Sequence, residues 1–564
     1  MGSKRSSGLD FSDGASALKA HEADFLGTTY DQRNKAERFR LQGLNSVVAP
    51  APRFRPNPTR LMEFGEKISI WLINEGRQRV FFAVFLLLHL LLVIFGLIQY
   101  GLDDNFNNAR ATFGATFAIA RTAALILHVD VIFILLPVCR NFISILRRTP
   151  LGDVIPFDKN ITFHKATGWS IVVGSVVHTL AHIVNLGRLA LVARDTTGRR
   201  IAFFLSANFT IGPVITGWLM WICLGTIVWF SVEKRRNAAG GYERFCASGL
   251  SAAFSGLGSA FLREVRSRHI TYISKIIQHP SNVIELQIKK EKTTVRAGQY
   301  IFINCPEISY FQWHPFTLTS APEEDYLSVH IRVVGDFTQA LALAVGCDCD
   351  GGRTTGTAPS GESKVVDIKA NPTVNRVLPR IMIDGPFSTV SKDFLKYETV
   401  LLVGAGIGAT AFASILKTIW YRMNNFSNGK RTRLSKVYFT WIIRDFNTVE
   451  WFHSLLRAVE EQDSQNRIEI SIHLTGGIKE DDINNIVVQD VGAEKDAITA
   501  LRAPTHYGRP NWDRMFSSLG QQHPESDIGV FCCGPKALGY TLRYMSNKHS
   551  GARGARFFFG KESF

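Results

Sequence analysis

Three histidines lie on one apolar segment of the chain, FHKATGWSIVVGSVVHTLAHIVN: His164, His178 and His182. His164 and His178 are fourteen residues apart. In an α-helix that is about four turns, so both rings leave one face, separated by a rise of roughly 21 Å. Imidazole nitrogens at that separation could ligate two haem irons, one above the other, within a bilayer core of ~30 Å. His182 is one turn beyond His178 and is predicted to line the same pocket. No later apolar segment carries a matching histidine pair.

Other polar residues in this apolar half could act beside a haem. Arg121 is a charge within a predicted membrane span, where it could offset haem propionates or hold an anion. His89 and His128 also lie in apolar segments, and hydrogen bonds between helices are enough to explain them.

A glycine-rich turn marks a candidate nucleotide site near residue 400. Gly404, Gly406 and Gly408 follow a hydrophobic run and open a helical pattern. Glycines there let backbone N–H groups approach a pyrophosphate at a helix N-terminus. Arg444 and Arg509 follow later strand-like runs, and their guanidinium groups suit a 2′-phosphate, which favours NADPH over NADH. A plain tight turn and surface salt bridges are the structural alternatives.

A third set of residues suits a flavin. His314 opens the run HPFTLTS, and Arg332 and Thr338 follow in HIRVVGDFT. An aromatic ring, hydroxyls and an arginine suit a flavin ring and its pyrophosphate, although ordinary alternation in a barrel also explains the pattern. Phe564 ends the chain and could stack on a flavin face. The alternative for Phe564 is the frayed end of a buried strand.

Four apolar segments are long enough to cross a membrane: residues 80–100, 111–139, 166–192 and 201–232. The chain has 564 residues, a net charge of +16 and 46% hydrophobic residues. The apolar content favours a membrane over a nucleic acid as the reason for the positive charge, and basic loops place the N-terminus inside. Residues 245–262, rich in Gly, Ser and Ala, are interpreted as non-spanning or interfacial, with a weak fifth span as the alternative. The eight cysteines imply no disulfide scaffold.

The patterning divides the chain into four regions. Residues 1–60 are polar and predicted to be a disordered cytosolic tail. Residues 61–262 form the membrane domain. Residues 263–393 show alternating runs that predict an antiparallel barrel, with a loop insertion at 350–375. Residues 394–564 alternate strand and helix patterns, which predicts a parallel α/β sheet.

Together these motifs resemble the superoxide-generating NADPH oxidases of the phagocyte-oxidase catalytic-subunit type, and most closely the B-type oxidases of filamentous fungi. The resemblance rests on ARATFGATFAIAR, ILLPVCRN, ITFHK, HPFTLTSAPEEDYLSVHIRVVGDFT, GAGIG, YGRPNWD and CGP. It implies a polytopic, ferric-reductase-like helical membrane domain. A ferredoxin-reductase-like module of an antiparallel FAD barrel and an α/β NADPH domain would follow. The implied activity is electron transfer from NADPH through FAD and two b-type haems to O2, giving superoxide.

The resemblance also assigns residues. His164 would hold the inner haem and His178 the outer one, with His182 and Arg121 in the haem pocket. The residues expected to contact FAD are His314, Pro315, Phe316, Thr317, Leu318, Thr319, Ser320, Arg332, Thr338 and Phe564. The residues expected to contact NADPH are Gly404, Gly406, Gly408, Thr410, Arg444, Arg509, Cys533, Gly534 and Pro535.

The implied partners are a Rac-type GTPase, a small membrane adaptor or tetraspanin, and a cytosolic activator protein that acts as a regulatory component; no nucleic acid is implied. The implied location is the plasma membrane or an endomembrane, with the N-terminus and the dehydrogenase in the cytosol.

One departure from the family concerns the haems. Family members have a fifth helix with a second histidine pair, and here GGYERF runs directly into CASGLSAAFSGLGSAFLREVRSRH. Two alternatives therefore stand beside the working oxidase: a haem-poor NADPH–FAD reductase and a non-catalytic membrane decoy or regulatory subunit. A ferric reductase shares the layout, but the HPFTLTSAPEEDY run disfavours it. A gene model that lacks a segment would also explain the gap. Ala409 and Ala411 replace the usual Val and Pro after GAGIG, which could loosen the nicotinamide turn.

Overall fold

The computed structural model describes residues 60–232 and 271–562, apart from most of 140–154 and 477–500, the segments 348–362, 367–377 and 425–432, and a few shorter gaps. The expectations for residues 1–59, for 245–262 and for Phe564 lie outside the described residues. The chain forms two compact units, one of Glu75–Glu264 and one of Met1–Asn74 with Val265–Phe564.

The first unit is helical. Four helical segments among the described residues are long and apolar enough to cross a membrane: Phe64–Leu102, Ala115–Val138, Asn160–Ala193 and Gly212–Ser231. Its helices are α2 (Arg77–Leu102), α3 (Asn107–Phe113), α4 (Ala115–Leu135), α5 (Asn160–Ala193), α6 (Thr197–Thr210) and α7 (Gly212–Ser231), and α1 (Arg60–Trp71) precedes them in the other unit. Helix α4 packs against both α2 and α5. Many large apolar side chains on the outer faces are exposed, as lipid-facing helices require.

Two of the predicted spans are broken. The span predicted at 111–139 changes direction at Gly114, whose φ is +63°, so α3 and α4 are separate helices. The span predicted at 201–232 is two helices, because Ile211 is extended between α6 and α7. Pro213 lies in the first turn of α7, where its missing N–H costs nothing and its ring prevents continuation from α6.

The described part of residues 271–387 in the second unit forms antiparallel sheets, as predicted. Two sheets, of order β5-β2-β1-β6 and β4-β3-β7, enclose a core of fully buried aliphatic residues. The elements are β1 (Thr271–His279), β2 (Val283–Lys290), β3 (Tyr300–Asn304), β4 (His314–Thr317), β5 (Leu327–Arg332), α8 (Asp336–Val345), β6 (Lys364–Val366) and β7 (Met382–Phe387). The interpretation of 350–375 as a loop is wrong for β6, because its Val365 pairs with Ile277 of β1.

The C-terminal half is a parallel six-stranded sheet with helices on both faces. Its elements are β8 (Thr399–Ala405), α9 (Thr410–Asn424), β9 (Lys436–Ile443), α10 (His453–Gln462), β10 (Ile468–Leu474), β11 (Thr505–Tyr507), α11 (Trp512–Gln522), β12 (Asp527–Cys533), α12 (Lys536–His549) and β13 (Arg556–Glu562). The strand order is β11-β10-β9-β8-β12-β13. The chain adds strands outward from β8 in one direction and then returns to its other side with β12. Ligands of such sheets bind at this switch point, outside the carboxyl ends of the strands.

The helix α1 continues into a π-helical turn, Leu72–Gly76, that docks on β13 of the same unit. The Asn74 side chain donates to the carbonyl oxygen of Phe557 at 3.0 Å and to Asn547 Oδ1 at 2.8 Å. Its Oδ1 accepts from the backbone N–H of Phe559 at 2.9 Å. One amide thus satisfies two backbone groups of β13, the outermost strand on its side of the sheet.

Candidate cofactor and electron-transfer sites

The two spaced histidines are held in the orientation that a metal ligand needs. His164 Nδ1 lies 2.9 Å from the carbonyl oxygen of Ile134, and His178 Nδ1 lies 2.9 Å from that of Ala120. Both carbonyls belong to α4. Because a carbonyl only accepts, each Nδ1 carries the proton and each Nε2 keeps its lone pair for a metal. Both rings therefore fit as axial ligands of haem iron, and hydrogen bonds from Nδ1 to carbonyl oxygens of α4 hold their orientation.

The two other histidines of these spans, His89 and His128, differ in their hydrogen-bond partners. His89 uses both ring nitrogens, Nδ1 with the Phe85 carbonyl at 2.8 Å and Nε2 with the fully buried Asp130 at 2.9 Å. It is therefore an interhelical polar contact, as predicted. His128 does not bond across helices by Nδ1, which contacts the carbonyl of Ala124 on its own helix.

The pocket residues proposed from the sequence lie on the helix surface. His182 packs edge-on against His178, with ring centroids 4.5 Å apart. Arg121 is exposed rather than buried, and its guanidinium lies over the Phe117 ring at 5.7 Å. Sequence reasoning missed Asp130, although an acidic residue inside the apolar run HVDVIF is itself a signal of a buried polar partner.

The glycine turn lies at the switch point of the parallel sheet. Gly404 pairs in register with Cys533 of β12 and with Trp441 of β9, so the ends of three strands meet here. A Cβ on Gly408 would lie 2.9 Å from the Cys533 carbonyl carbon, closer than atoms pack. A Cβ on Gly406, whose φ is +54°, would meet nothing within 4 Å. The turn is therefore tight toward the protein and open on its outer side, as a pyrophosphate requires.

Two side chains support this turn. Trp441 is fully buried, and its Nε1 donates to the Gly406 carbonyl oxygen at 3.0 Å. Thr410 Oγ1 donates to the Ile407 carbonyl oxygen at 2.8 Å, so it holds the first turn of α9. Trp441 was missed from the sequence, because nothing in the run WIIRD shows which way its ring points.

Cys533 ends the neighbouring strand β12 beside the glycine turn, and Gly534 and Pro535 follow it. Burial raises the pKa of the Cys533 thiol, so the sulfur is neutral at physiological pH. Pro535 is the residue before α12, so the strand end turns directly into a helix N-terminus. This second helix start faces the same crevice end of the sheet.

The two candidate arginines lie on the same edge of the sheet. Arg444 follows β9 and Arg509 follows β11, with β10 between them, and both are exposed. Both therefore follow carboxyl ends of strands, two strand positions apart. Exposed guanidinium groups there fit a 2′-phosphate.

The flavin candidates divide into a partly or fully exposed set and a buried set. The His314 ring stacks on Phe337 of α8 with centroids 4.2 Å apart, which brings β4 beside the N-terminus of α8. Thr338 Oγ1 bonds the backbone of Val334 and Gly335 and caps that helix. Burial lowers the pKa of His314, so its ring is neutral at pH 7. Arg332 is exposed at the end of β5.

The second half of the HPFTLTS run is committed to the interior. Leu318 is fully buried in the barrel core. Thr319 Oγ1 bonds Ser328 Oγ at 2.7 Å, and Ser320 Oγ accepts from the Ser328 backbone N–H at 3.1 Å. The side chains of these three residues shape the barrel, and His314, Pro315 and Phe316 are the less buried members of the run.

The site therefore belongs to a membrane oxidoreductase with flavin and dinucleotide domains. Three family models match the chain: a ferric reductase like transmembrane component at residues 120–254, an FAD-binding domain at 269–391 and a ferric reductase NAD binding domain at 397–547. These matches confirm the predicted fold class.

Curated relatives define the family more closely. The chain is 33% identical over 537 residues to a superoxide-generating NADPH oxidase heavy chain of Dictyostelium discoideum, covering 88% of this chain and 99% of that protein. It is 31% identical over 612 residues to NADPH oxidase 1 of Mus musculus, covering 91% and 97% of the two chains. It is 32% identical over 593 residues to NADPH oxidase 3 of Homo sapiens, covering 88% and 100%. The chain belongs to the NADPH oxidase family.

The resemblance inferred from the motifs is thus confirmed, and with it an oxidoreductase that has FAD and NADPH domains and an integral membrane part. The comparisons support NADPH-dependent superoxide generation and do not favour the haem-poor alternative. Haem b follows from the family.

Proposed function

We propose that this chain is a transmembrane oxidase that catalyses NADPH + 2 O2 → NADP⁺ + H⁺ + 2 superoxide. One observation carries the proposal. A single chain joins a dinucleotide crevice and a flavin barrel to a helix whose His164 and His178 both keep Nε2 for a metal. FAD, when bound, accepts a hydride and releases electrons one at a time, and haem b carries single electrons.

The protein residues supply binding and orientation. We assign the NADPH pyrophosphate to the turn of Gly404, Gly406 and Gly408, and its 2′-phosphate to Arg444 and Arg509. Cys533, whose thiol burial keeps neutral, lies beside this turn with Gly534 and Pro535 and would complete the nucleotide site.

The flavin is assigned to the barrel. His314, Pro315, Phe316 and Thr317 would line the ring, and Arg332 and the α8 N-terminus capped by Thr338 would hold its pyrophosphate. This assignment gives residues 263–393 to FAD and residues 394–564 to NADPH.

The haem assignment has a direct test. A reduced-minus-oxidised spectrum of the purified chain is expected to show two b-type haems. His178→Leu is expected to lose the outer haem and superoxide output while NADPH-dependent dye reduction persists, because the dehydrogenase is a separate unit. His128→Leu is the matched control, since its Nδ1 contacts the Ala124 carbonyl oxygen of its own helix. Wild-type protein without haem, or His178→Leu with undiminished superoxide, would overturn the assignment.

The nucleotide assignment is tested by coenzyme preference. Arg444→Ala is expected to raise KM for NADPH about 10-fold or more and to leave KM for NADH unchanged, because only NADPH offers a 2′-phosphate for a charge-assisted bond. Arg457→Ala is the control, an exposed arginine on α10 paired with Glu461 at 2.9 Å. Equal losses for both coenzymes would contradict the assignment.

The protein is assigned to the plasma membrane or an endomembrane. Its N-terminus and its dehydrogenase are assigned to the cytosolic side of that membrane. A Rac-type GTPase, a cytosolic activator and a small membrane adaptor or tetraspanin are the proposed partners. These assignments rest on the family resemblance and on the basic loops. Protease added outside sealed cells should leave the dehydrogenase intact, and cleavage there would reverse the orientation. Superoxide output that does not respond to a GTP-loaded Rac-type protein would remove that partner.

A further inference from the structure

Three buried side chains converge on one face of the barrel's four-stranded sheet. Glu285 of β2 lies directly opposite His330 of β5 and Ile277 of β1, and His279 is two residues beyond Ile277. Because side chains alternate between the faces of a sheet, this register places His279, Glu285 and His330 together. Each of the three residues is only 8% exposed.

Their donor atoms are spaced as ligands of one small cation. Glu285 Oε2 lies 3.5 Å from His279 Nε2 and 3.7 Å from His330 Nε2. The three donor atoms all lie within 4.8 Å of one another. A tetrahedral cation held at ~2.0–2.2 Å sets its ligand atoms roughly 3.3–3.6 Å apart. Two of the three separations are therefore already at or near the bound values.

The hydrogen bonds direct both imidazoles into the cluster. Apart from the Glu285 carboxylate that both face, neither Nε2 has a hydrogen-bond partner among the described residues. His279 Nδ1 lies 2.7 Å from Ser363 Oγ, and His330 Nδ1 lies 3.0 Å from Thr319 Oγ1. Ser363 donates its own hydroxyl to Glu450 at 3.4 Å, so its oxygen accepts from His279 Nδ1–H. With Nδ1–H donated to Ser363, a neutral His279 ring presents its Nε2 lone pair to the cluster, as in metal-ligating histidines.

The charges around the cluster favour a cation. Gln287 donates to Glu285 Oε1 at 3.1 Å, which leaves Oε2 facing the imidazoles. A buried lone pair and a carboxylate oxygen repel each other unless a proton or a metal cation lies between them. Lys417 also faces this region, but Glu324 neutralises it at 3.0 Å.

We propose that His279, Glu285 and His330 bind one divalent cation of the zinc class, with water as the fourth ligand. Two imidazoles and one carboxylate are a ligand set that zinc takes. The ion would join three neighbouring strands of the FAD barrel. The ion would also stabilise the turn of the α/β domain that covers the cluster. In that turn, the Phe452 ring packs on His330 with ring centroids 4.7 Å apart, and Trp451 Nε1 donates to the Pro280 carbonyl oxygen at 2.9 Å.

Metal analysis of the full-length chain tests the proposal. Tag-free protein in detergent is stripped with a chelator, equilibrated with ZnCl2, desalted and analysed for zinc and iron. About one zinc per chain is expected for the wild type, and Glu285→Gln, which keeps the shape of the side chain, is expected to lose most of it. FAD content and NADPH-dependent dye reduction report whether each variant is folded.

His473→Gln is the matched control. His473 stacks on His506 of the neighbouring strand, with ring centroids 4.9 Å apart, and lies in the α/β domain. This variant should keep its zinc. A wild-type chain that retains no zinc, as a cluster sharing a proton would, overturns the proposal, and so does a folded Glu285→Gln that binds as much as the wild type.

A second measurement covers the case in which Glu285→Gln does not fold. The temperature of FAD release from the wild type should rise with added ZnCl2, and an unchanged temperature overturns the proposal. Because iron is counted separately, a failed zinc site is distinguishable from a failed haem assignment.

Discussion

Gly408→Ala offers the sharpest test of the dinucleotide crevice. The added Cβ would lie 2.9 Å from the Cys533 carbonyl carbon and 3.3 Å from its sulfur. Carbon atoms in contact are most stable at about 3.5–4.0 Å, so the turn after β8 and the end of β12 must separate by roughly 0.5–1 Å. Overpacking of this kind costs about 1–3 kcal/mol.

That separation displaces the glycine turn to which the pyrophosphate is assigned. If bound NADPH must restore the closed arrangement, the same ~1–3 kcal/mol is subtracted from binding, which is roughly a 5- to 150-fold rise in Kd. The assay is KM for NADPH in dye reduction, which does not need the haems. The maximal rate should change less than KM, because the flavin barrel is not touched.

The control is Gly520→Ala on α11. A Cβ there meets nothing within 4 Å, and alanine favours a helix over glycine by up to ~1 kcal/mol. Its KM should equal that of the wild type. A Gly408→Ala chain that retains FAD and shows a KM within about twofold of the wild type would refute the reasoning, since a shift below ~0.4 kcal/mol means that the strands do not close on the ligand.

Two further predictions concern stability of the dehydrogenase unit. Asn74→Ala leaves the Phe557 carbonyl and the Phe559 N–H without their side-chain partner. The free energy of unfolding, measured by heat or urea, should therefore fall by about 2–4 kcal/mol. An unchanged midpoint would show that the segment around Asn74 does not dock on β13. Burial and the neighbouring His506 lower the pKa of His473 to about 4, whereas the pKa in the unfolded chain is about 6.5. The neutral His473 ring therefore makes its full contribution to the free energy of unfolding above about pH 6.5. That contribution is lost toward pH 4, at up to ~1.4 kcal/mol per pH unit. Unfolding midpoints from pH 7.5 to 5 should fall less steeply in His473→Gln, and parallel curves would contradict the assignment.

The parts of the protein that could be predicted are those encoded locally. Apolar runs of membrane length, the fourteen-residue spacing of His164 and His178, and the strand–glycine–helix order at Gly404 are all visible within short windows. Each depends on helical or strand periodicity, which neighbouring residues determine. These windows were enough for the fold class and the family.

Local breaks within elements were harder to place. The prediction of one span at 201–232 did not include the break at Ile211, although Pro213 indicates the start of a new helix. The strand Lys364–Val366 lies in a stretch whose composition indicated a loop. It forms a strand because β1, about 90 positions earlier in the chain, provides its hydrogen-bond partners. Propensity is a weak guide where a distant partner strand provides the hydrogen bonds.

The sequence by itself determined the class of chemistry: histidines for haem, a glycine turn for a dinucleotide, and a polar aromatic strand for a flavin. Only the tertiary structure decided which of these side chains are available. It turned Leu318 into the barrel core, set Trp441 beneath the glycine turn and joined Asn74 to β13. It also brought His279, Glu285 and His330 together from three strands. The physical reason is that strand register and side-chain direction follow from long-range pairing, and that pairing is not written in any one segment.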